Sequence, residues 1–203
     1  MRDTVPIAIF ASGGGTNLQA LLDCENESSY DIALLITNKN DVGALERARK
    51  WGKKSVVLLN EGKTDREAEK EMQAVLEDSG IAFIVLAGYL KKIPSGVICR
   101  YSSRIVNIHP ALLPAFGGKG MYGKHVHEAV IEAGERITGP TVHYVDENYD
   151  TGEIIAQVPI AVLDGDDADT LAKKVLEVEH RLYPAVVDRL CRDILDENCE
   201  TLG

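Results

Sequence analysis

Val5-Pro-Ile-Ala-Ile-Phe-Ala-Ser-Gly-Gly-Gly-Thr-Asn-Leu-Gln19 is an apolar run that breaks into three glycines and then resumes as a helix-forming pattern. A short continuous apolar run bounded by glycine reads as a strand buried on both faces (Val5–Ala11), and Asn17–Cys24 behind it reads as a helix. Backbone N–H groups at such a strand-to-helix turn can cradle a phosphate. The helix dipole adds positive potential, and here Thr16 adds a hydroxyl. A dinucleotide fingerprint is excluded, because its third glycine would fall on Leu18 and its acidic residue after the second strand is replaced by Thr37-Asn38. No Gly-Lys-Ser/Thr follows, which excludes a Walker A loop. A tight turn without a ligand has the same composition; if a ligand is bound, the loop favours a monophosphate over a dinucleotide.

The same rhythm continues outward. Ile32–Thr37, Ser55–Leu59, Ile81–Ala87 and Arg104–Ile108 read as strands, with helices over Val42–Trp51 and Arg66–Ser79. Buried strands alternating with helices predict a doubly wound α/β fold, a mostly parallel sheet with helices on both faces. The second half differs. Gly117, Gly118, Gly120 and Gly123 make a loop expected to act as a lid, followed by a helix around Val126–Ala133. Strands near Thr141–Val145 and Ile154–Ile160 flank an acidic turn. Leu171, Val175, Val178, Leu182, Val186 and Leu190 then mark a long amphipathic helix that Pro184 should kink or divide. No repeat or linker interrupts the chain, so one domain over residues 1–203 is expected.

Composition narrows the function. With 45% hydrophobic and 27% charged residues the chain is of the soluble globular class. A formal charge of −10 argues against a nucleic-acid partner, which needs an excess of Lys and Arg. Runs such as Ile81–Ala87 are too short to span a bilayer, and no secretory segment precedes Val5, so a cytoplasmic protein is expected. Cys24, Cys99, Cys191 and Cys199 show neither C-x-x-C nor zinc spacing, which reads as reduced thiols and no metal.

Arg104-Ile-Val-Asn107-Ile-His109-Pro-Ala-Leu-Leu-Pro114 places an amide and an imidazole two residues apart at the carboxyl end of a predicted strand, on one side of the sheet. That edge is where α/β proteins bind ligands. Taken alone, a strand-end histidine serves structure as often as chemistry. In the turn Asp146-Glu-Asn-Tyr-Asp150-Thr-Gly152, composition does not distinguish Asp150 from its acidic neighbours.

Together these segments resemble the phosphoribosylglycinamide formyltransferases of the folate-dependent formyltransferase superfamily. The resemblance runs from about Val5 to Val187. It rests on Ser-Gly-Gly-Gly-Thr-Asn-Leu-Gln, Leu-Ala-Gly-Tyr-Leu, Asn-Ile-His-Pro-Ala-Leu-Leu-Pro, Thr-Val-His-Tyr-Val and Glu-His-Arg-Leu-Tyr-Pro. It implies a Rossmann-like fold with a phosphate-binding half (about residues 1–100) and a folate-binding, catalytic half (about 101–203). The activity implied is transfer of a formyl group from 10-formyltetrahydrofolate, as co-substrate, to the amine of glycinamide ribonucleotide, with no metal.

Residue by residue, the resemblance assigns catalysis to Asn107, His109 and Asp150. Asn107 and a protonated His109 would donate to the oxyanion, and Asp150 would favour the imidazolium. It assigns phosphate binding to Gly14, Gly15, Thr16 and Asn17. Ribose binding falls to Glu179, which alone would read as a solvated helix position. Folate binding falls to Arg66, Leu86, Tyr89, Leu90, Lys91, Lys92, Ile93, Tyr144, Val145 and Asp146, the apolar ones equally readable as core. Lys91-Lys92 stands where many relatives carry one basic and one apolar residue, and Ala111 replaces a commoner Ser. His127 reads as support for the site or as a surface residue, with His125 beside it. The implied partners are small molecules, with no nucleic acid or membrane, and the chain is expected to be a monomer or homodimer. A methionyl-tRNA formyltransferase is expected to carry a basic RNA-binding domain, and a formyl-tetrahydrofolate hydrolase a domain before Val5. For a sugar formyltransferase the Thr16-Asn17 loop is the wrong kind, and for a silent binding protein an intact trio is unexpected.

Overall fold

The computed structural model describes residues 3–200. In its first half, parallel strands β1 (Val5–Phe10), β2 (Tyr30–Thr37), β3 (Ser55–Val57), β4 (Phe83–Leu86) and β5 (Ile105–His109) alternate with helices α1 (Thr16–Cys24), α2 (Gly43–Lys50), α3 (Asp65–Asp78) and α4 (Ser95–Arg100). The second half holds α5 (Lys124–Glu132), β6 (Ile137–Thr138), β7 (Thr141–Tyr144), β8 (Ile154–Gln157), β9 (Ile160–Ala161) and α6 (Ala168–Glu200). The main sheet runs β3-β2-β1-β4-β5-β7-β8, with β7 and β8 added antiparallel, and β6 pairs β9 in a separate ribbon. This is the expected mostly parallel α/β architecture.

Strand alternation sorts the core into two layers. Ile7, Ile9, Phe83, Val85, Val106, Ile108 and Val142 face α1, α2 and the second part of α6, where Tyr183, Val187, Leu190 and Cys191 are buried. Ala8, Phe10, Ile84, Leu86 and Ile105 face the other way, against Met72 and Leu76 of α3 and Val97 of α4. Tyr183, wholly buried, has its hydroxyl at 2.8 Å from the Leu86 carbonyl and 3.2 Å from that of Val106, which pins α6 to the carboxyl end of β4 and to the start of β5. The site lies at the carboxyl end of β5.

Three sequence expectations change. Pro184 does not divide the closing helix, which is one element from Ala168 to Glu200 with buried residues on both sides of the proline. The strand expected over Ile154–Ile160 stops at Gln157. Pro159, which lacks an N–H, separates it from β9, which joins another sheet. The six-residue α4 was not expected from periodicity, being too short to show it. All four cysteines are free, with only Cys191 buried. Among the described residues no helix is long and apolar enough to cross a membrane, and no group of three or more acidic, His or Cys side chains is placed to hold a metal.

Candidate active site

Asn107 and His109 lie on the α3/α4 side of β5, at its carboxyl end, with the β7 residue His143 directly across from Asn107 in the ladder. The two imidazoles meet the Asp150 carboxylate, and the Asn107 amide meets the His143 ring. His143 Nδ1 donates to the Tyr144 carbonyl at 2.7 Å. Asn107 Nδ2 lies 3.1 Å from His143 Nε2, within hydrogen-bond distance. That bond orients the amide and leaves its second N–H and its oxygen for the cleft. His109 Nε2 donates to the Phe116 carbonyl at 2.8 Å, so its Nδ1 is the free nitrogen, 3.6 Å from Asp150 Oδ2.

Asp150 is placed by backbone conformation as much as by contacts. Its φ of 58° is in the left-handed region, which Asp tolerates better than most residues. One carboxylate oxygen accepts the Gly118 N–H at 2.9 Å, and the other lies 3.5 Å from His143 Nε2. A Cβ on Gly117 would sit 2.6 Å from the end of the Leu113 side chain and 3.2 Å from the Asp150 Cβ, so a side chain here would displace Leu113 and crowd Asp150. Phe116, Gly117 and Gly118 thereby anchor the start of the glycine-rich loop to both His109 and Asp150.

The electrostatics follow from this packing. Burial pushes the His109 imidazole below its ordinary value; the Asp150 carboxylate and the Phe116 carbonyl oppose this without restoring it. Burial pushes the Asp150 carboxyl up. The His143 ring, the Gly118 N–H and the charge of His109 outweigh that, so Asp150 is held below its usual range. At neutral pH the resting pair is therefore a neutral imidazole beside a carboxylate. In the resting site, desolvation of the His109 ring exceeds the pull of its carboxylate neighbour.

Two clefts open on either side of this cluster. The larger, about 580 Å³, is lined by Leu86, Gly88–Ile93, Asn107–Pro110, Gly118–Gly123, His143, Val145, Asp146 and Asn148–Asp150. Leu90, Tyr122 and Tyr149 are each more than 40% exposed there, apolar surface offered to a ligand rather than to the core. The smaller, about 350 Å³, is lined by Gly13–Asn17, His127, Asp169 and Glu179 among others. Gly88, Ile108, Pro110 and Gly123 line both.

The loop that opens the sequence forms the floor of the smaller cleft. The carbonyl of Gly13 accepts from Ala44 N at 3.1 Å, and that of Gly14 from Arg47 Nε at 2.8 Å, so these oxygens are turned toward α2. Gly15, at φ 72°, brings the loop so close that a Cβ would lie 2.9 Å from Ala44. No side chain caps α1, and its first-turn N–H groups face the cleft with the helix dipole behind them. Beside them Asn17 Nδ2 donates to Glu179 Oε2 at 2.7 Å, with both residues buried. Glu179 is thus no solvated helix position. Burial raises its carboxyl above the ordinary value, against the Asn17 bond.

Among the folate residues expected from sequence, Leu86, Tyr89, Leu90, Lys91, Lys92, Ile93, Val145 and Asp146 line the larger cleft. Two do not. Tyr144 shares the sheet face of Val142 and packs toward α6, because side chains alternate along a strand; its neighbour His143 is the one that faces the cleft. Arg66, on the first turn of α3, is exposed and lines neither cleft, since α3 turns Met72 and Leu76 to the sheet. His143 was missed within Thr141-Val-His-Tyr-Val145, where the same alternation could have singled it out. His125 is exposed and pairs with Glu128 at 3.3 Å, whereas His127 is buried.

Residues 5–187 match the model of the formyl transferase family. The chain belongs to that family. Among relatives of this formyl transferase, a chloroplastic phosphoribosylglycinamide formyltransferase of Arabidopsis thaliana is 46% identical over 194 residues, covering 92% of this chain and 65% of that protein. The chain thus spans just under two thirds of the length of that relative. The fold superposes on a phosphoribosylglycinamide formyltransferase from Bacillus halodurans with TM-score 0.85 and 40% identity, covering 91% of this chain and 94% of that one. With a glycinamide ribonucleotide transformylase from Geobacillus kaustophilus the TM-score is 0.86 and the identity 37%, over 93% and 99% of the two chains.

Proposed function

We propose that this formyl transferase moves the formyl group of 10-formyltetrahydrofolate onto the amine of glycinamide ribonucleotide, giving formylglycinamide ribonucleotide and tetrahydrofolate in purine synthesis. One observation carries the reading: two clefts of opposite chemistry share a wall at Ile108 and Pro110, beside Asn107, His109 and Asp150. The apolar cleft, with Lys91, Lys92 and Lys119 on its lining, suits an aromatic donor with an anionic tail. The cleft at the α1 N-terminus, with Glu179 inside, suits a ribose phosphate.

The amine nitrogen attacks the formyl carbon, forming a C–N bond as the carbonyl pair moves to oxygen. The free N–H of Asn107 donates to that oxyanion. Neutral His109, with Nδ1 free, takes the proton the amine sheds. As an imidazolium it faces the oxyanion and is stabilised by the carboxylate of Asp150. The bond to folate N10 then breaks, its electron pair stays on N10, and the proton is delivered there as the formamide forms.

The test follows folate deformylation by absorbance with purified protein, formyl-folate and glycinamide ribonucleotide. Turnover that requires the ribonucleotide is the expected result. Donor loss without it would mean a hydrolase, and no loss under either condition would overturn the assignment of donor and acceptor.

A further inference from the structure

Two buried side-chain atoms without a hydrogen-bond partner, Asn17 Oδ1 and His127 Nδ1, belong to residues that line the smaller cleft. Asn17 already belongs to the loop assigned to the phosphate. His127 has no role so far. It sits on α5, one turn after Lys124, whose ammonium reaches Asp169 at 2.8 Å at the outer part of the same cleft. His127 is only 5% exposed. A buried polar nitrogen without a partner is unfavourable unless a ligand uses it. Of the other two such atoms among the described residues, Thr138 Oγ1 and His180 Nε2, neither belongs to a residue that lines a cleft.

The position of the ring along the cleft limits what it can meet. His127 shares the cleft with Ile108 and Pro110, the chain neighbours of His109 at the end of β5. It therefore stands toward the reacting end. A ribonucleotide with its phosphate on the α1 N-terminus and its hydroxyls near Glu179 would bring its glycinamide arm past this ring. We propose that His127 recognises the ribonucleotide, pairing through Nδ1 with the amide of the glycinamide arm. The assignment rests on the function proposed above.

The chemistry matches. Burial, reinforced by His109, pushes the His127 imidazole down, so it stays neutral at neutral pH. A neutral imidazole carries one donor and one acceptor, and an amide presents one of each. Amide recognition would separate this acceptor from phosphorylated sugars whose amine is attached without an amide.

The test is calorimetric binding of glycinamide ribonucleotide, and separately of a non-reactive folate analogue, to the wild-type protein, His127→Leu and His127→Asn. His127→Leu is expected to weaken ribonucleotide binding about tenfold, the loss of one well-made hydrogen bond. His127→Asn should recover most of it, and folate affinity should stay level in both. Unchanged ribonucleotide affinity in His127→Leu overturns the proposal. So does a loss shared equally by the folate analogue, which marks a merely structural ring. If wild-type protein binds neither ligand, the functional reading itself fails and this proposal with it; folate binding without ribonucleotide binding overturns the acceptor and leaves the donor standing.

Discussion

The two clefts recognise by different means. The larger one is built from loops and strand ends and, away from the catalytic cluster, offers surface: Leu90, Tyr122 and Tyr149 half out of water, and lysines on its lining. The smaller one is built from the backbone of a glycine loop and from helices, and its polar groups are buried and pre-aligned, as Asn17 and Glu179 are. Surface recognition spreads affinity over many contacts, so the loss of one side chain is shared. Recognition by a few desolvated polar groups concentrates it. Residues at the wall between the clefts serve neither affinity and should register in turnover.

The largest effect is therefore expected at that wall. His109→Ala and Asp150→Asn should each lower turnover by at least about a hundredfold, the scale of acid–base groups, with both Michaelis constants changed little. Near-normal turnover in either variant would remove that residue from the chemistry, and a change confined to one Michaelis constant would assign it to one cleft. The pH profile sharpens this. A neutral His109 is the proton acceptor, so kcat/KM should rise with pH along an acid limb below the ordinary histidine value. Removing the Asp150 charge takes away the main influence that raises this value, so the limb in Asp150→Asn should move to still lower pH. A limb that moves up would mean Asp150 does not act on His109 by charge.

Next in size is the smaller cleft. Glu179→Ala should raise the Michaelis constant for the ribonucleotide about tenfold, leaving that for the formyl donor and turnover unchanged. A loss confined to turnover would instead place Glu179 in the chemistry. The same carboxylate gives an opposite effect on stability. Its folded-state value is raised by burial, so the folded protein holds this proton more tightly than the unfolded chain, and stability falls as pH rises through the raised value. Glu179→Gln keeps an oxygen for Asn17 and removes the buried charge. It should melt higher than wild type at pH 7, the gap closing as pH falls toward 4. Equal melting temperatures at neutral pH would show that folding does not raise the Glu179 carboxyl.

Legibility in the sequence followed the same division. The first half was readable because each strand of a parallel sheet is a continuous apolar run and each connection a helix, so the Gly13–Thr16 turn could be located between β1 and α1. Asn107 and His109 were readable as a pair because two residues on a strand share a face. What was not readable depended on contacts distant in sequence. Asp150 is singled out from Asp146 by a left-handed φ, the Gly118 N–H and the rings of His109 and His143, whereas Asp146 is occupied with Asn148 and Thr151. Glu179 and Asn17 are 162 residues apart, and no pattern along the helix shows that this glutamate is buried. The one-residue error at Tyr144 arose within a correctly expected strand, where the side of each residue is set by its pairing with β5.

The smallest effect is expected at the rim of the larger cleft. Lys91 and Lys92 are exposed, line the cleft and face solvent, so their attraction for the anionic tail of a folate is exerted in high dielectric. Lys92→Ala should raise the Michaelis constant for the formyl donor only about two- to fivefold, with that for the ribonucleotide unchanged. Because exposed charges are screened, the difference from wild type should vanish at about 0.5 M salt, where the Debye length falls below the span of the cleft mouth. A salt-independent loss would mean that the lysine stem packs against the donor as apolar surface. A loss as large as that of Glu179→Ala on its own substrate would abolish the contrast between the clefts, since the larger one would then also depend on a single polar group.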